Sequence, residues 1–213
     1  MNLPVGLLVT VLQTRRIRPW RLIRGAIVVY ITLMATGFLP ASLSPAPQVM
    51  AQSTDIWLMI DTNELTLGVM QGSRILARYK NIAIGSNGTT REKRVKDEKT
   101  PLGDFRITGI RPSKRFQLFL AIDYPNMDHV ERALAGGRIT TKEYQALLGA
   151  LSKGKPPPQG TSLGGNLGIH GIGAGSLQIH NNVNWTDGCI ALTNEQVQKL
   201  AGWVSVGTRV RIR

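Results

Sequence analysis

Cys189 is the only cysteine in this chain of 213 residues, and it lies in the run WTDGCIAL. Gly188 directly precedes it, so the backbone can turn tightly there and present amide N–H groups toward a reacting carbonyl. A thiol has an ordinary pKa of about 8.5, so it needs an imidazole nearby to take its proton or to hold the thiolate. A lone cysteine is more often a small buried apolar residue, yet this setting predicts a nucleophile.

Three histidines could activate the thiol. His170 ends the apolar run LGI and precedes Gly171, so we expect a rigidly held histidine at a strand end, which suits a base. His180 lies in QIHNNVNW, interpreted as a loop, with either a structural role or a contact to substrate. His129 lies at the predicted start of a helix, where we expect a solvated or capping role. These side chains do not form a convincing zinc set, so we expect no metal and no organic cofactor.

Most elements that must position these residues are predicted to be strands. Alternating apolar runs bounded by Asn, Gly or Ser predict strands at IWLMID, ELTLGVMQ, RILARYKNIAIG, DFRITGI and FQLFLAIDYP. A last strand is predicted from Arg209 to Ile212. We expect Tyr124 and Trp185 to be core or rim aromatics, with a substrate wall as the alternative for each.

Two stretches have a helical period instead. Asp128 to Leu151 predicts two short helices separated by Gly136-Gly137, and Asn194 to Trp203 predicts a final helix with Thr193 or Asn194 as its N-cap. Residues 128–165 combine the first two helices with a Lys/Pro/Gly-rich loop just before His170. This segment is either a lid over a substrate groove or a surface insertion that packs for stability.

The chain is strongly basic, with 26 Lys and Arg against 13 Asp and Glu and a formal net charge of +13. Five of the arginines precede Gly25, and the apolar run Gly25 to Ala41 follows them. Residues 1–51 are therefore predicted to be an export signal, either cleaved before Gln52 or retained as a membrane anchor with a short linker. Export argues against a nucleic-acid-binding protein and predicts a periplasmic or cell-envelope location, with the inner membrane contacted only through this segment.

The densest charged run elsewhere is Arg91 to Lys99, which also contains three acidic residues. We expect a solvated charged loop there. Weak attraction to an anionic wall polymer or a membrane surface is the alternative.

Two motifs resemble a known family. GIHG at Gly168 to Gly171, followed by TDGCIAL at Thr186 to Leu192, resembles the His-Gly and Ser/Thr-x-Gly-Cys signature of the L,D-transpeptidase catalytic domain, also called the YkuD family. KTPLGDF, Lys99 to Phe105, resembles the Thr-Pro-x-Gly-x-Phe element of that family. The resemblance covers residues 55–213, predicted to be the catalytic domain.

The resemblance implies a mainly β fold, a curved mixed sheet or sandwich with a few peripheral helices. It also implies a cysteine acyltransferase that acts on peptidoglycan stem peptides, with Cys189 as nucleophile and His170 as general base and acid. The backbone amides of Gly188 and Cys189 would stabilise the oxyanion, and the Gly171 carbonyl would hold the imidazole. A thioester forms as a terminal D-alanine leaves, and an amine of a neighbouring stem or of a wall-attached protein then attacks it. A carbapenem should acylate the same thiol.

Thr186, Asp187 and His180 are the expected substrate contacts. Two positions depart from the family pattern, since many members have a histidine where Asp187 stands and Arg or Asn where Ala191 stands. The Asp187 carboxylate would raise the pKa of the thiol and leave His170 to activate it alone. The change at Ala191 leaves the choice of donor and acceptor peptides open.

Two alternatives to a crosslinking enzyme remain. Water could intercept the thioester, giving an L,D-carboxypeptidase or an enzyme that releases a wall-attached protein. A noncatalytic wall-binding module would be indicated by a lost cysteine or histidine, whereas both Cys189 and His170 are present.

Overall fold

The strands and helices of this chain are given by a computed structural model, which describes residues 55–213. The predicted export segment, residues 1–51, lies outside the described residues. The strands are β1 (Ile56–Asp61), β2 (Thr66–Gln71), β3 (Arg74–Lys80), β4 (Thr89–Thr90), β5 (Thr100–Pro101), β6 (Gly103–Ser113), β7 (Gln117–Ile122), β8 (Gly168–Gly171), β9 (Ile190–Leu192) and β10 (Arg209–Ile212). The helices are α1 (Met127–Ala135), α2 (Thr141–Leu151), α3 (Leu177–Asn182) and α4 (Asn194–Ala201). Within residues 55–213, no helix has both the length and the apolar character needed to cross a membrane.

Eight strands form one mixed sheet in the order β3-β2-β1-β10-β6-β7-β8-β9. The pairs β1–β10 and β8–β9 are parallel, and the other neighbours are antiparallel. β4 and β5 form a separate, short parallel pair. The last strand lies between β1 and β6, so it joins the N-terminal hairpins to the half of the sheet that contains β8 and β9. The predicted fold class, mainly β with a mixed sheet and a few helices, is confirmed.

Alternate apolar side chains of the strands are buried and stabilise the sheet. Leu58 and Ile60 of β1 and Val210 and Ile212 of β10 are all buried in the same apolar cluster. β8 differs, because all four of its residues are buried and it is covered by α4. A strand buried on both faces holds its side chains rigidly, which matters for a histidine placed there.

The helices follow the predicted pattern, with one exception. α1 and α2 flank Gly136-Gly137, and Thr140 with Glu143 forms a capping box at the start of α2. α4 begins at Asn194 with Thr193 as its N-cap. α3 was missed, because this stretch was predicted to be a loop. It has only six residues and buries only His180, so it has no apolar stripe that a sequence pattern could reveal.

The predicted strand RILARYKNIAIG is shorter than expected. β3 ends at Lys80, and Asn81 adopts a left-handed conformation with φ of 56° that turns the chain away from β2. Residues 82–85 then cross to the other end of the sheet, where Ala83 bridges to Ala191 and Gly85 to Thr186. The buried run IAIG therefore supports the segment around Cys189 instead of extending the first hairpins.

His129 is buried, so the expectation of a solvated histidine was wrong. Its ring stacks on Phe105 at 5.1 Å between centroids and meets Tyr124 edge-on at 5.0 Å. Its Nδ1 lies 2.7 Å from Oδ1 of Asn126, the N-cap of α1, so the capping contact exists inside the core. Burial, helped by the charge of Arg132, lowers the pKa of His129 to about 4.

Replacing His129 should reduce the sensitivity of the fold to acid. The pKa of His129 is depressed in the folded state, so the unfolded state binds more protons between its ordinary pKa and about 4, and stability is lost as the pH falls through that window. Between pH 7 and pH 4.5 the wild type should lose about 2 kcal/mol more free energy of unfolding than His129→Phe. Urea unfolding of both proteins at both pH values measures this difference. An equal acid loss in the two proteins would show that His129 does not titrate in this way.

Candidate active site

The pairing of β8 with β9 brings His170 and Cys189 to one place. His170 pairs with Ala191, and Cys189 lies two residues before Ala191. Side chains alternate along a strand, so Cys189, Ala191 and His170 point to the same face of the sheet. The side chains of His170 and Cys189 both line a cavity of about 600 Å³. The predicted nucleophile and the predicted base therefore share one site.

The His170 ring has a defined orientation and tautomer. It is 1% exposed, and its Nδ1 lies 2.8 Å from the carbonyl oxygen of Gly171. A carbonyl oxygen only accepts hydrogen bonds, so Nδ1 carries the proton of the neutral ring and Nε2 keeps its lone pair. Gly171 thus makes the contact that the family resemblance implied. A ring held this way presents Nε2 as a proton acceptor.

Aromatic side chains surround the His170 ring. Phe116 stacks on it at 3.9 Å between centroids, Phe119 lies at 6.0 Å, and Trp185 meets it edge-on at 5.8 Å. Trp185 lines the cavity, which fits the wall role left open for it, whereas Tyr124 is buried and donates from its hydroxyl to the Leu163 carbonyl. Phe116 and Phe119 were missed, because aromatic residues near a hairpin turn look like ordinary strand residues.

The turn before Cys189 is stabilised by Thr186. Its Oγ1 accepts a hydrogen bond from the Gly188 amide at 3.1 Å and donates one to the Cys189 carbonyl at 2.7 Å. Thr186 is 3% exposed and lines the cavity, and its hydroxyl is used within the turn. A contact between Thr186 and substrate stays a prediction. The Gly188 amide is likewise engaged within the turn. The role of the Gly188 and Cys189 amides as oxyanion donors stays a prediction.

The other predicted substrate contacts differ in position. Asp187 is exposed and lines the cavity. His180 is buried on α3, where its Nδ1 accepts a hydrogen bond from the Trp185 indole at 3.3 Å. It is not among the residues that line the cavity, so the expected contact with substrate is replaced by support for Trp185. Ala191 is fully buried, bridges to Ala83 and is not among the residues that line the cavity.

The comparisons with known proteins agree with this architecture. The family model described as the L,D-transpeptidase catalytic domain matches residues 55–212. The chain belongs to this family. No curated protein sequence matches it.

Three solved structures are similar to this chain, and the first of them shows the same fold. The helical cell shape determining protein Pgp2 of Campylobacter jejuni is 22% identical with a TM-score of 0.51, over 75% of this chain and 48% of that one. Bd1075 of Bdellovibrio bacteriovorus is 16% identical with a TM-score of 0.49, over 78% and 50%. The Enterococcus faecium L,D-transpeptidase C442S mutant is 12% identical with a TM-score of 0.44, over 76% and 50%. This L,D-transpeptidase-family chain spans about half the length of these proteins.

The charged run Arg91 to Lys99 forms one wall of the cavity. Lys93 is 4% exposed, and the Val95 amide donates to the Ser162 carbonyl at 2.9 Å. Val95, Lys96 and Glu98 line the cavity together with Lys93. Most of the run is exposed, as expected of a solvated charged loop, but Lys93 is buried against the site. Any attraction of its exposed charges to a wall polymer stays a prediction.

Residues 164–167, which end the segment before β8, form another wall. The Asn166 carbonyl oxygen lies 3.8 Å from the Cys189 sulfur. Glu143 of α2 accepts hydrogen bonds from the Ser162 amide and hydroxyl, at 2.7 and 2.8 Å, so α2 holds this loop near the cavity. The role of residues 128–165 as a lid stays a prediction. Within residues 55–213, no group of three or more His, Cys, Asp and Glu side chains could hold a metal ion.

Burial sets the ionisation of the two reactive groups. It lowers the pKa of His170 to about 4, although the hydrogen bond to the Gly171 carbonyl opposes the change. It raises the pKa of the Cys189 thiol to about 11, with a backbone hydrogen bond from Gly168 opposing the rise and the Asp187 carboxylate adding to it. The direction of the Asp187 effect matches the expectation from the sequence. At neutral pH the resting pair is therefore a neutral thiol beside a neutral imidazole.

The ionisation of Cys189 can be measured through the ultraviolet absorbance of its thiolate. We expect almost no thiolate at neutral pH and a rise with a midpoint near 11, because burial disfavours the charged form. Spectra of Cys189→Ala, subtracted at each pH, remove the contribution of the tyrosines. A thiolate step near neutral pH that disappears in His170→Ala would contradict this expectation, since it would reveal a thiolate–imidazolium pair at rest.

Proposed function

We propose that this chain is a peptidoglycan L,D-transpeptidase that forms a thioester between Cys189 and a tetrapeptide stem and transfers the stem to an amine. The observation that carries the proposal is the arrangement of His170 and Cys189 on one face of the β8–β9 pair, inside one cavity. The hydrogen bond from His170 Nδ1 to the Gly171 carbonyl leaves Nε2 as the base. Membership of the L,D-transpeptidase family supplies the class of substrate.

The first half of the reaction releases D-alanine. The Cys189 thiol gives its proton to Nε2 of His170 while the sulfur bonds to the carbonyl carbon before the terminal D-alanine. The proton moves as the bond forms, because neither group is ionised at neutral pH. The oxyanion that develops is stabilised by the Cys189 amide. The C–N bond then breaks, and the imidazolium returns the proton to the leaving amine.

The second half transfers the acyl group. An amine of a neighbouring stem, or of a wall-attached protein, attacks the thioester and gives a proton to the neutral His170. The C–S bond breaks, and the proton returns to the sulfur. His170 begins and ends each half neutral, because it passes its proton on before the half is complete. This suits an imidazole whose protonated form is destabilised by burial.

The exposed charges that line the cavity balance, with Lys96 and Arg115 against Glu98 and Asp187. Arg115 is the cation with a defined position. The Arg115 guanidinium lies 4.8 Å from the centre of the Phe116 ring, which stacks on His170. This contact places a fixed positive charge beside the site, and a carboxylate of the stem peptide would be attracted to it.

The proposal includes an exported enzyme of the periplasm or cell envelope. Its support is the arginine-rich, apolar segment within residues 1–51 and the wall-directed family. The partners are peptidoglycan stem peptides, with a wall-attached protein as a further acceptor. The inner membrane would be contacted only through the N-terminal segment, and no nucleic acid is involved.

Removing the nucleophile or the base should abolish transfer. The wild type is expected to form a covalent adduct with a tetrapeptide muropeptide and then a crosslinked product, and to form an adduct with a carbapenem. Cys189→Ala should form neither adduct, because no sulfur remains, and His170→Ala should form the stem adduct at least about 100-fold more slowly, because the base is lost. Intact-mass spectrometry of the protein and of the muropeptides measures both.

The products separate the proposal from its alternatives. Trimmed stems without crosslinks, even with an added amine acceptor, would identify an L,D-carboxypeptidase. Neither adduct nor product in the wild type would favour a noncatalytic wall-binding module. His129→Phe serves as a control, since it replaces a buried histidine that does not line the cavity and should keep the wild-type rate.

A further inference from the structure

We infer that the ion pair between buried Lys93 and partly buried Asp97 positions the Gly188–Cys189 turn for thioester formation. This inference rests on the proposed function. It makes both groups positioning residues, because neither would touch the reacting atoms.

The pair lies beneath the turn that carries Cys189. The Lys93 side chain is 3% exposed, and its Nζ lies 2.5 Å from Oδ1 of Asp97. The same Nζ donates to the backbone carbonyl of Asp187 at 3.4 Å. The Lys93 ammonium group therefore links the Asp97 carboxylate to the peptide unit that leads into Gly188. Both side chains belong to the charged loop, Arg91 to Lys99.

Asp97 is itself held firmly. Its Oδ2 accepts a hydrogen bond from the Arg94 amide at 2.7 Å, and its Oδ1 accepts one from the Lys99 amide at 3.0 Å. Burial alone would raise the pKa of Asp97, but these hydrogen bonds and Lys93 outweigh it and lower that pKa. The carboxylate is thus a charged, fixed anchor for Lys93 at neutral pH.

Gly188 rests directly on the pair. A Cβ atom at this position would lie 3.1 Å from Lys93 Nζ and 2.5 Å from the Lys99 carbonyl oxygen. The backbone of Gly188 has φ of 124°, a conformation that other residues rarely adopt. There is therefore no room for a larger side chain between the Gly188 backbone and the Lys93 ammonium group. Movement of Lys93 would be transmitted to Gly188 and to the Cys189 amide.

Residues 84–86 join the charged loop to the same turn. The Gly85 amide donates to Oγ1 of Thr100 at 2.9 Å, and Gly85 bridges to Thr186. The loop, this segment and the turn thus form one connected layer, in which Lys93 and the Lys99 carbonyl are the groups that face Gly188. We expect the ion pair to add little net stability, since desolvating two charges costs about as much as their attraction returns. The contacts of Lys93 instead fix the position of the turn.

The test uses the full chain with the double substitution Lys93→Met and Asp97→Asn, which removes both charges and keeps their size. The rate of thioester formation with a tetrapeptide muropeptide is measured as a function of its concentration. We expect the saturating rate to fall about 10- to 100-fold, because the oxyanion donor is displaced, while the half-saturating concentration changes less than about 3-fold.

Two further measurements exclude a general loss of structure. Alkylation of Cys189 by iodoacetamide, taken at its high-pH limit, involves no oxyanion and should stay within about 2-fold of wild type. Hydrogen exchange at residues 186–190 should accelerate about 10-fold or more, while exchange in β2 stays unchanged. The matched control is Lys199→Met with Glu195→Gln, an exposed pair with the same spacing on α4 and a 2.7 Å contact, which should leave all three quantities unchanged.

The inference would be overturned if the folded double variant kept the wild-type rates of acylation and of hydrogen exchange. It would also be overturned if alkylation and acylation fell equally. If the double variant does not fold, Asp97→Asn alone is measured in the same way. Failure of both variants to fold would also overturn it, since the pair would then hold the fold and not the turn. A wild type that forms no thioester would refute the proposed function, and hydrogen exchange at residues 186–190 would then decide the inference alone.

Discussion

The parallel pairing of β8 with β9 is the constraint on which the rest of the site depends. It places His170 opposite Ala191 and sets Cys189 two residues away on the same face. Because β8 is buried on both sides, the histidine can be held only by groups inside the protein, which here are the Gly171 carbonyl and the surrounding aromatic rings. A shift of one residue in this register would turn one of the two side chains to the other face and separate nucleophile from base.

The same burial that orients His170 also decides how it can act. An imidazole with its pKa lowered to about 4 does not hold a thiolate at rest, and a thiol with its pKa raised to about 11 does not ionise alone. The two groups are therefore suited to a proton transfer that accompanies bond formation. In the proposed reaction the first attack would be slower than that of a preformed thiolate, and charge would appear in the site only with substrate. Oxyanion stabilisation and the placement of the turn consequently matter more here.

The charged loop has more than one physical role. Its exposed residues contribute to the positive balance of the chain, whereas Lys93 is buried and pairs with the partly buried Asp97. Buried ion pairs add little net stability, so their value lies in direction and distance. Two groups thus contact the turn: the Thr186 hydroxyl bonds to the Gly188 amide and the Cys189 carbonyl, and the Lys93 ammonium lies next to Gly188.

The sequence alone determined the family and the mainly β class, because strand alternation and the GIHG and TDGCIAL motifs are local features. It also singled out Cys189 and His170 by residue type and setting. Only the tertiary structure decided what depends on distant neighbours: the burial of His129, the use of the Thr186 hydroxyl within the turn, the position of His180 behind Trp185, and the burial of Lys93. A charged or polar side chain looks solvated in a sequence, since the partner that satisfies it inside the protein can lie anywhere along the chain. The contact between Lys93 and the Asp187 carbonyl, 94 residues apart, shows why no local pattern could have predicted it.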